Sequence, residues 1–463
     1  MKNKLLAILM CCVMIAAMLP VTAFAEDTGV AINETNFPDA IFRKVASRYD
    51  TDGDGVLSNA EIRNVTYIDC RGKEINDLKG IEYFTALTNL GCSNNQLTAL
   101  DVRKNTALTS LDCRQNRLTV LDVSSNTALI ALYCNDNQLT ALDVSSNTEL
   151  RSLYCYDNQL TALDVSKNTA LTDLYCGGNE LTALDVSSHT ALTYLNCYSN
   201  QLTALDVSSN TKLISLDCYM NQLTALDVSK NTALTYLNCY SNQLTALDVS
   251  KNTELKSLNC SGNQLTALDV SSNTALTSLD CYMNQLTALD VSSNTKLISL
   301  NCSDNQLTAL DISNTNLIYF GCIRNEYMVS VSEDETFDLS TLPGSFDKNK
   351  ASNWVGGSVA GNILTLDKGV SVVTYKYDCG WANPVTFTLV FACISGDVNG
   401  DGILDAKDLL YMRRYVADVP VGIEFDMTAA DMDGDGEVTP ADCLLLRKTL
   451  AGVIDVKAID KRA

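Results

Sequence analysis

Residues 108–128 read LTSLDCRQNRLTVLDVSSNTA, and the same 21-residue pattern returns from Leu87, Leu129, Leu150, Leu171, Leu192, Leu213, Leu234, Leu255, Leu276 and Leu297. A looser copy begins at Val65, and a last one at Leu317 follows the shortened DISNTN. Within the copy quoted, Leu108, Leu111, Cys113, Leu118, Leu121 and Val123 are the positions that point inward. One copy cannot bury that face alone, so stacked neighbours and end caps are required. Each L-x-x-L-x-C segment predicts one short strand of a parallel sheet, with coils about 4.8 Å apart. Asn116 is expected to turn its amide into the coil and bond the backbone of adjacent turns. The Asp that recurs once per copy (Asp101, Asp122, Asp143) reads as a turn residue.

A period of 20–29 residues with L-x-x-L-x-C-x-x-N-x-L is the pattern of leucine-rich repeats. The array, residues 65–325 with about 13 units, resembles bacterial secreted leucine-rich proteins of internalin-like plan, over more than half the chain. The resemblance implies an α/β-type, right-handed leucine-rich-repeat solenoid with a parallel sheet. Binding is expected on its concave face, where Tyr133, Tyr154, Tyr156, Tyr175, Tyr194, Tyr198, Tyr219, Tyr236, Tyr240 and Tyr282 gather. Tyrosine combines a large contact area with a polar tip at low entropic cost. Asp112, Asp173, Asn196, Asp217, Asn238, Asn259, Asp280 and Asn301 lie beside them and suit sugar hydroxyls or a peptide equally.

Thirteen cysteines from Cys70 to Cys322 share one inward slot of the repeat. No C-x-x-C pair exists, and a line of thiols cannot make a tetrahedral metal site. Stacked Cα atoms lie within disulfide range, but parallel Cβ vectors hold the sulfurs in poor geometry. The slot therefore reads as a small buried hydrophobe with free thiols. Cys379–Cys393 stands as a candidate bridge outside the array.

Two further stretches carry metal chemistry: DVNGDGILDAKD from Asp397 and DMDGDGEVTPAD from Asp431, 34 positions apart, each running into an apolar helix pattern. Oxygen ligands at loop positions 1, 3, 5, 7 and 12, with Gly at 6, fit a hard cation such as Ca²⁺. The first ligand set is Asp397, Asn399, Asp401, the Ile403 carbonyl and Asp408; the second is Asp431, Asp433, Asp435, the Glu437 carbonyl and Asp442. This duplication resembles a type I dockerin. That implies an all-α module over residues 396–463, two calcium ions, and a cohesin domain on a scaffold or surface protein as partner. The family's recognition positions fall on Ala406, Lys407, Arg413 and Arg414, and on Pro440, Ala441, Arg447 and Lys448. They depart from the hydroxyl pairs of well-known dockerins and leave the cohesin subtype open.

A third loop, YDTDGDGVLSNAEI, precedes the repeats. Asp50, Asp52, Asp54, the Val56 carbonyl, Ser58 and Glu61 occupy its ligand positions, and Phe37, Ile41, Phe42, Val45 and Tyr49 recur at helical spacing before it. Residues 26–64 read as an EF-hand-like helical cap holding one further calcium and sealing the solenoid. After the repeats, FDLSTL, GNILTL, SVVTYKY and VTFTLVFA are strand-like runs, so residues 326–395 predict a small β-sandwich of immunoglobulin-like size. Its tryptophans, Trp354 and Trp381, are expected to serve as packing residues.

The first 25 residues combine Lys2 and Lys4, an apolar run and Ala23-Phe24-Ala25, the pattern of a cleaved secretory signal peptide. No later run is apolar enough to insert in a membrane. With 33 basic against 55 acidic residues and a net charge of −22, nucleic acid is not expected as a partner. His189 is the only histidine and replaces a turn Asn, and no unique carboxylate pair breaks the repeat, so hydrolytic constellations lack parts. These features together predict a secreted, non-catalytic binding protein carried into a cellulosome-like complex by its dockerin. An internalin-like adhesin and an accessory subunit for polysaccharide degradation are the alternatives.

Overall fold

A computed structural model of the chain describes residues 29–329, 336–368, 370–391, 396–399, 404–423, 425, 427–433 and 436–451. The expected signal peptide, Cys393 and the expected ligands Asp401, Ile403 and Asp435 lie outside the described residues. The chain forms two compact units, one ending at Leu171 and one beginning at Thr172.

The first unit opens with Val30–Ala31 paired antiparallel to Val56–Leu57, flanking the helix Ala40–Ala46. Asp39 starts that helix by accepting from the Ile41 and Phe42 amides, both at 2.9 Å. The helix buries Phe42, Val45 and Ala46. Ile41, expected on the same apolar stripe, is instead exposed, because the helix is only seven residues long and one face suffices to cover the coil. Phe37 lies 6.4 Å from Phe84, and Tyr49 5.8 Å from Phe84, which ties the helical segment to the first coils. Gly80, at φ +106°, admits the Phe37 ring where any Cβ would sit 2.3 Å from it. Three-residue strands Tyr67–Asp69, Asn89–Gly91, Ser110–Asp112, Ala131–Tyr133 and Ser152–Tyr154 then pair parallel and in register.

In the second unit a parallel ladder of the same kind runs through Asp173–Tyr175, Tyr194–Asn196, Ser215–Asp217, Tyr236–Asn238, Ser257–Asn259, Ser278–Asp280, Ser299–Asn301 and Tyr319–Gly321. Each strand is shorter than the L-x-x-L-x-C segment: only the x-L-x triad pairs, and the Cys that follows turns inward. The fold is a parallel-sheet solenoid, cored by fully buried leucines such as Leu213, Leu216 and Leu223. The fifteen described cysteines are free and buried. Burial pushes the Cys70, Cys176 and Cys239 thiols up to about 12.

Two asparagine ladders close the coils. Asn242, in the slot of Asn116, donates to the Cys218 and Cys239 carbonyls at 3.1 Å and accepts from the Leu223 amide at 3.0 Å. The second ladder was hidden in the sequence among turn residues. Asn231 is fully buried and donates to the carbonyls of Val207 and Asn210, both at 2.9 Å. His189 occupies this slot in its own coil and is also fully buried, so its position is an interior one. The recurring aspartates behave as expected of turns, Asp227 accepting from the Ser229 amide at 2.8 Å.

Beyond the last coil, two sheets face each other. One contains Glu326–Val329, Val385–Phe391, Val372–Tyr377 and Ala351–Val355; the other contains Thr336–Asp338, Ile363–Leu366 and Gly357–Ala360. Phe337 meets Phe391 across them at 6.0 Å. The pair is bolted to the coil by Tyr375, whose hydroxyl donates to the Thr308 carbonyl at 2.6 Å, and by Lys350 on Asp311 at 2.8 Å. Trp381 packs edge-on to Phe320 at 5.5 Å and Trp354 stacks on Tyr375 at 4.5 Å, both as packing residues.

The C-terminal helices Ala406–Val416 and Pro440–Leu450 pack around Val398, Met412, Ala430, Met432, Cys443 and Leu446.

Candidate calcium loops and binding face

All three acidic loops share one construction. Position 9 is the N-cap of the following helix and position 12 is its third residue, locked in a reciprocal capping box: Ser58 with Glu61, Asp405 with Asp408, Thr439 with Asp442. The ligand set and the helix start are therefore fixed by the same carboxylate.

In the first loop, carboxylate oxygens of Asp50, Asp52 and Asp54 lie within 4.8 Å of one another. Asp50 accepts from the amides of Gly53 and Gly55, at 2.7 and 3.0 Å, with both glycines at positive φ. The Asp54 amide draws the Asp52 carboxyl down, but desolvation and the charges of Asp54 and Glu61 outweigh it and hold the group above its ordinary value. Like charges gathered in this way fit a divalent cation. Glu61 is turned toward Thr51, whose hydroxyl donates at 2.7 Å, and toward Ser58, and these bonds pull its carboxyl down to about 2. The Val56 carbonyl belongs to the short strand paired with Val30–Ala31.

In the last loop, Asp431, Asp433 and Asp442 converge within 4.8 Å, with Asp442 fully buried. Gly436, at φ +90°, donates to Asp431 at 2.9 Å, and Asp442 accepts from Asp433 and Thr439 amides at 3.0 and 2.8 Å. The preceding loop repeats this pattern: Asp408 is fully buried and accepts from Val398 and Asp405 amides at 3.2 and 2.8 Å, and Asp397 is buried beside it. Carboxylates gathered and buried in this number suit a hard metal ion in each loop. Asn399 and Glu437 lie in the same two loops.

Of the expected partner-recognition residues, Arg413, Pro440 and Arg447 come together in one groove of about 370 Å³, with Val416, Ala417, Cys443 and Leu444. Ala406, Lys407, Ala441 and Lys448 are exposed but outside that groove, and Arg414 is half-buried. Leu410 and Leu444, equivalent positions of the two helices, are exposed apolar residues that the sequence reading passed over.

The tyrosines fall into three columns. Tyr194 and Tyr236 open their strands, Tyr133, Tyr154 and Tyr175 end theirs, and Tyr156, Tyr198, Tyr219, Tyr240 and Tyr282 follow the inward Cys. That last set was expected on the strands and lies just outside them. Apart from Tyr194 at 39 % exposure, these rings are half-buried rather than exposed, and several pack on one another. In the first unit Tyr133 and Tyr154 are 5.0 Å apart, and the Arg114 guanidinium sits 5.8 Å over Tyr133. In the second unit Tyr198 and Tyr219 stack in parallel at 4.9 Å, Tyr240 follows at 6.5 Å, and Tyr282 lies 6.1 Å from Tyr240 across an intervening coil.

Comparison with known proteins bears on both parts. Residues 395–451 match the model of the dockerin type I domain. A 70-residue stretch is 43 % identical to Internalin J of Listeria monocytogenes, covering 15 % of this chain and 8 % of that relative. Among solved structures, the functional domain of InlJ from Listeria monocytogenes, described as including a cysteine ladder, aligns with a TM-score of 0.60 at 32 % identity, over 78 % of this chain and 98 % of that one. An internalin, inlF, from the same species aligns at 0.54 and 25 % identity, over 64 % of this chain and 98 % of that one.

Proposed function

Because this chain belongs to the internalin-like leucine-rich-repeat proteins and ends in a dockerin type I domain, we propose that it is a non-catalytic binding protein of an extracellular complex. The repeat face holds a protein or a glycan, and the dockerin docks through calcium to a cohesin domain on a scaffold or surface protein. The carrying observation is the coincidence of the dockerin match, residues 395–451, with two acidic loops whose position-12 carboxylates, Asp408 and Asp442, are fully buried. Such loops fold around their ions, so metal binding and docking are one equilibrium. The groove of Arg413, Pro440 and Arg447 supplies a surface for the cohesin. The loop at Asp50 to Glu61 takes a third calcium and stiffens the cap, in a protein that acts outside the cell; among the described residues no helix is long and apolar enough to cross a membrane.

The test is capture from the source organism's secreted and surface fractions, with the chain carrying or lacking residues 396–463, in calcium or chelator. Recovery of a cohesin-bearing protein only with the C-terminal module and only in calcium is the expected result. Docking that survives full chelation would sink the calcium assignment, and no cohesin in any arm would sink the docking role.

A further inference from the structure

Between Tyr194 and Ser303, all within the second unit, the sheet face is laid out as columns that repeat once per coil. Asn196, Asp217, Asn238, Asn259, Asp280 and Asn301 form an unbroken row of planar amides and carboxylates. The side-chain Oδ1 atoms of Asn196 and Asp217 are buried and have no hydrogen-bond partner. On one flank stand strand-opening hydroxyl residues, Tyr194, Ser215, Tyr236 and Ser257 among them. On the other runs the ridge of Tyr198, Tyr219, Tyr240 and Tyr282. Its first two rings are only 4° from parallel, so they present edges and hydroxyls rather than open faces. No lysine or arginine stands in any of the three columns.

Each feature narrows the ligand. A row of half-exposed amides and carboxylates suits a donor-rich ligand. Carboxylates without cations exclude an anionic polymer. The tyrosines that would anchor a protein partner are half-buried against one another here, and no arginine stands in these columns. Spacing points the same way. The columns repeat about every 4.8 Å, whereas same-side residues of an extended peptide recur about every 6.8 Å and fall out of step within two coils. A chain of pyranose rings advances by close to one coil per ring and carries hydroxyls on each.

We propose that this face is an array of subsites for a neutral polysaccharide lying across the coils, with the half-exposed row from Asn196 to Asn301 meeting sugar hydroxyls and the Tyr198–Tyr219–Tyr240 ridge forming the wall. The inference rests on the reading of the repeat face as a binding surface and names its ligand class.

The experiment is calorimetry of the full chain in calcium with cello-, xylo-, manno- and chito-oligosaccharides of two to six rings. Variants are Tyr219→Ala, Asp217→Leu and the conservative Asp217→Asn, each checked for native circular dichroism. At least one series should bind, with affinity rising at least tenfold from two rings to six. Tyr219→Ala and Asp217→Leu should each weaken it tenfold or more, and Asp217→Asn, which retains an acceptor, should restore it. Absence of binding by every series, or binding indifferent to these residues, overturns the proposal. If a protein captured by the chain is lost in Tyr219→Ala while no saccharide binds, the glycan assignment fails and the binding-face reading stands. If no captured protein or saccharide depends on the face, both fail.

Discussion

Replacing Asn231 and Asn242 by alanine, one at a time, separates the two asparagine ladders by energy. The Asn242 amide is used on both sides: it donates to the carbonyls of Cys218 and Cys239 and accepts from the Leu223 amide. Truncation leaves the Leu223 amide unpaired in the interior of the coil, while the Cys218 and Cys239 carbonyls each keep one bond, from Asn221 and Asn263. A buried group so orphaned costs about 1–3 kcal/mol, so the loss should be about 2 kcal/mol. Asn231 donates to two carbonyls, but its own Oδ1 is buried with no partner. Its truncation orphans neither carbonyl, since the Asn210 amide still bonds Val207 and the Leu213 amide still bonds Asn210, and it removes one existing defect, so under about 1 kcal/mol is expected. Repeat arrays need not unfold in two states, so urea curves followed by far-ultraviolet circular dichroism should be fitted to a nearest-neighbour model. Hydrogen exchange at the Leu223 and Leu244 amides would localise the effect. Equal losses, a reversed order, or two values under about 0.5 kcal/mol would refute the reasoning, since the ladders would then contribute no more than ordinary surface side chains.

Four further outcomes follow from the same structure. The ladder thiols, fully buried and raised by desolvation, should resist iodoacetamide in the native chain at pH 8, with Cys443, at 9 % exposure, labelled first; mass-spectrometric mapping checks this, and early labelling of Cys218 contradicts it. Asp217 sits at about 6 against an ordinary 3.8, so the folded state binds its proton more tightly and stability should fall as pH rises from about 4 to 6, then level off. Asp217→Asn should remove that slope and add about 1 kcal/mol at pH 7, after allowance for solvent screening, as read from urea midpoints between pH 4 and 8. Calcium at a hundredfold excess over its Kd should stabilise the N-terminal cap by about 2.7 kcal/mol, an increment that Asp50→Ala abolishes in exchange-protection measurements on residues 40–64. Tyr375→Phe, which loses the buried bond to the Thr308 carbonyl, should cost about 1.5 kcal/mol, whereas Lys350→Ala, on an exposed pair with Asp311, should cost under about 1 kcal/mol; comparable losses would show that the surface pair, not the buried hydroxyl, holds the β-domain.

The sequence by itself determined the solenoid and the dockerin that follows it. A 21-residue period with leucine and cysteine always at the same offsets admits one register, because a slip of one residue would turn every Leu216-type side chain outward. The acidic loops were equally plain as motifs, since oxygen side chains at fixed loop positions, with a glycine turn at position 6, are what coordination of a hard cation requires. What the tertiary structure decided was the use made of chemically identical residues. Asn231 and Asn242 look alike in the repeat, yet one accepts and donates while the other only donates, because only stacking shows which amide of the neighbouring coil comes within reach. The tyrosines were read as exposed, but whether a ring stands free depends on what the next coil places beside it: Tyr198 lies over Gly177 and against Tyr219, and so becomes part of a half-buried ridge. The unpaired oxygens of Asn196 and Asp217 have no sequence signal either, for an orphaned acceptor is defined by the absence of a partner from coils 21 residues away. Local pattern dictates the coil, and long-range packing dictates which polar atoms the coil leaves unsatisfied.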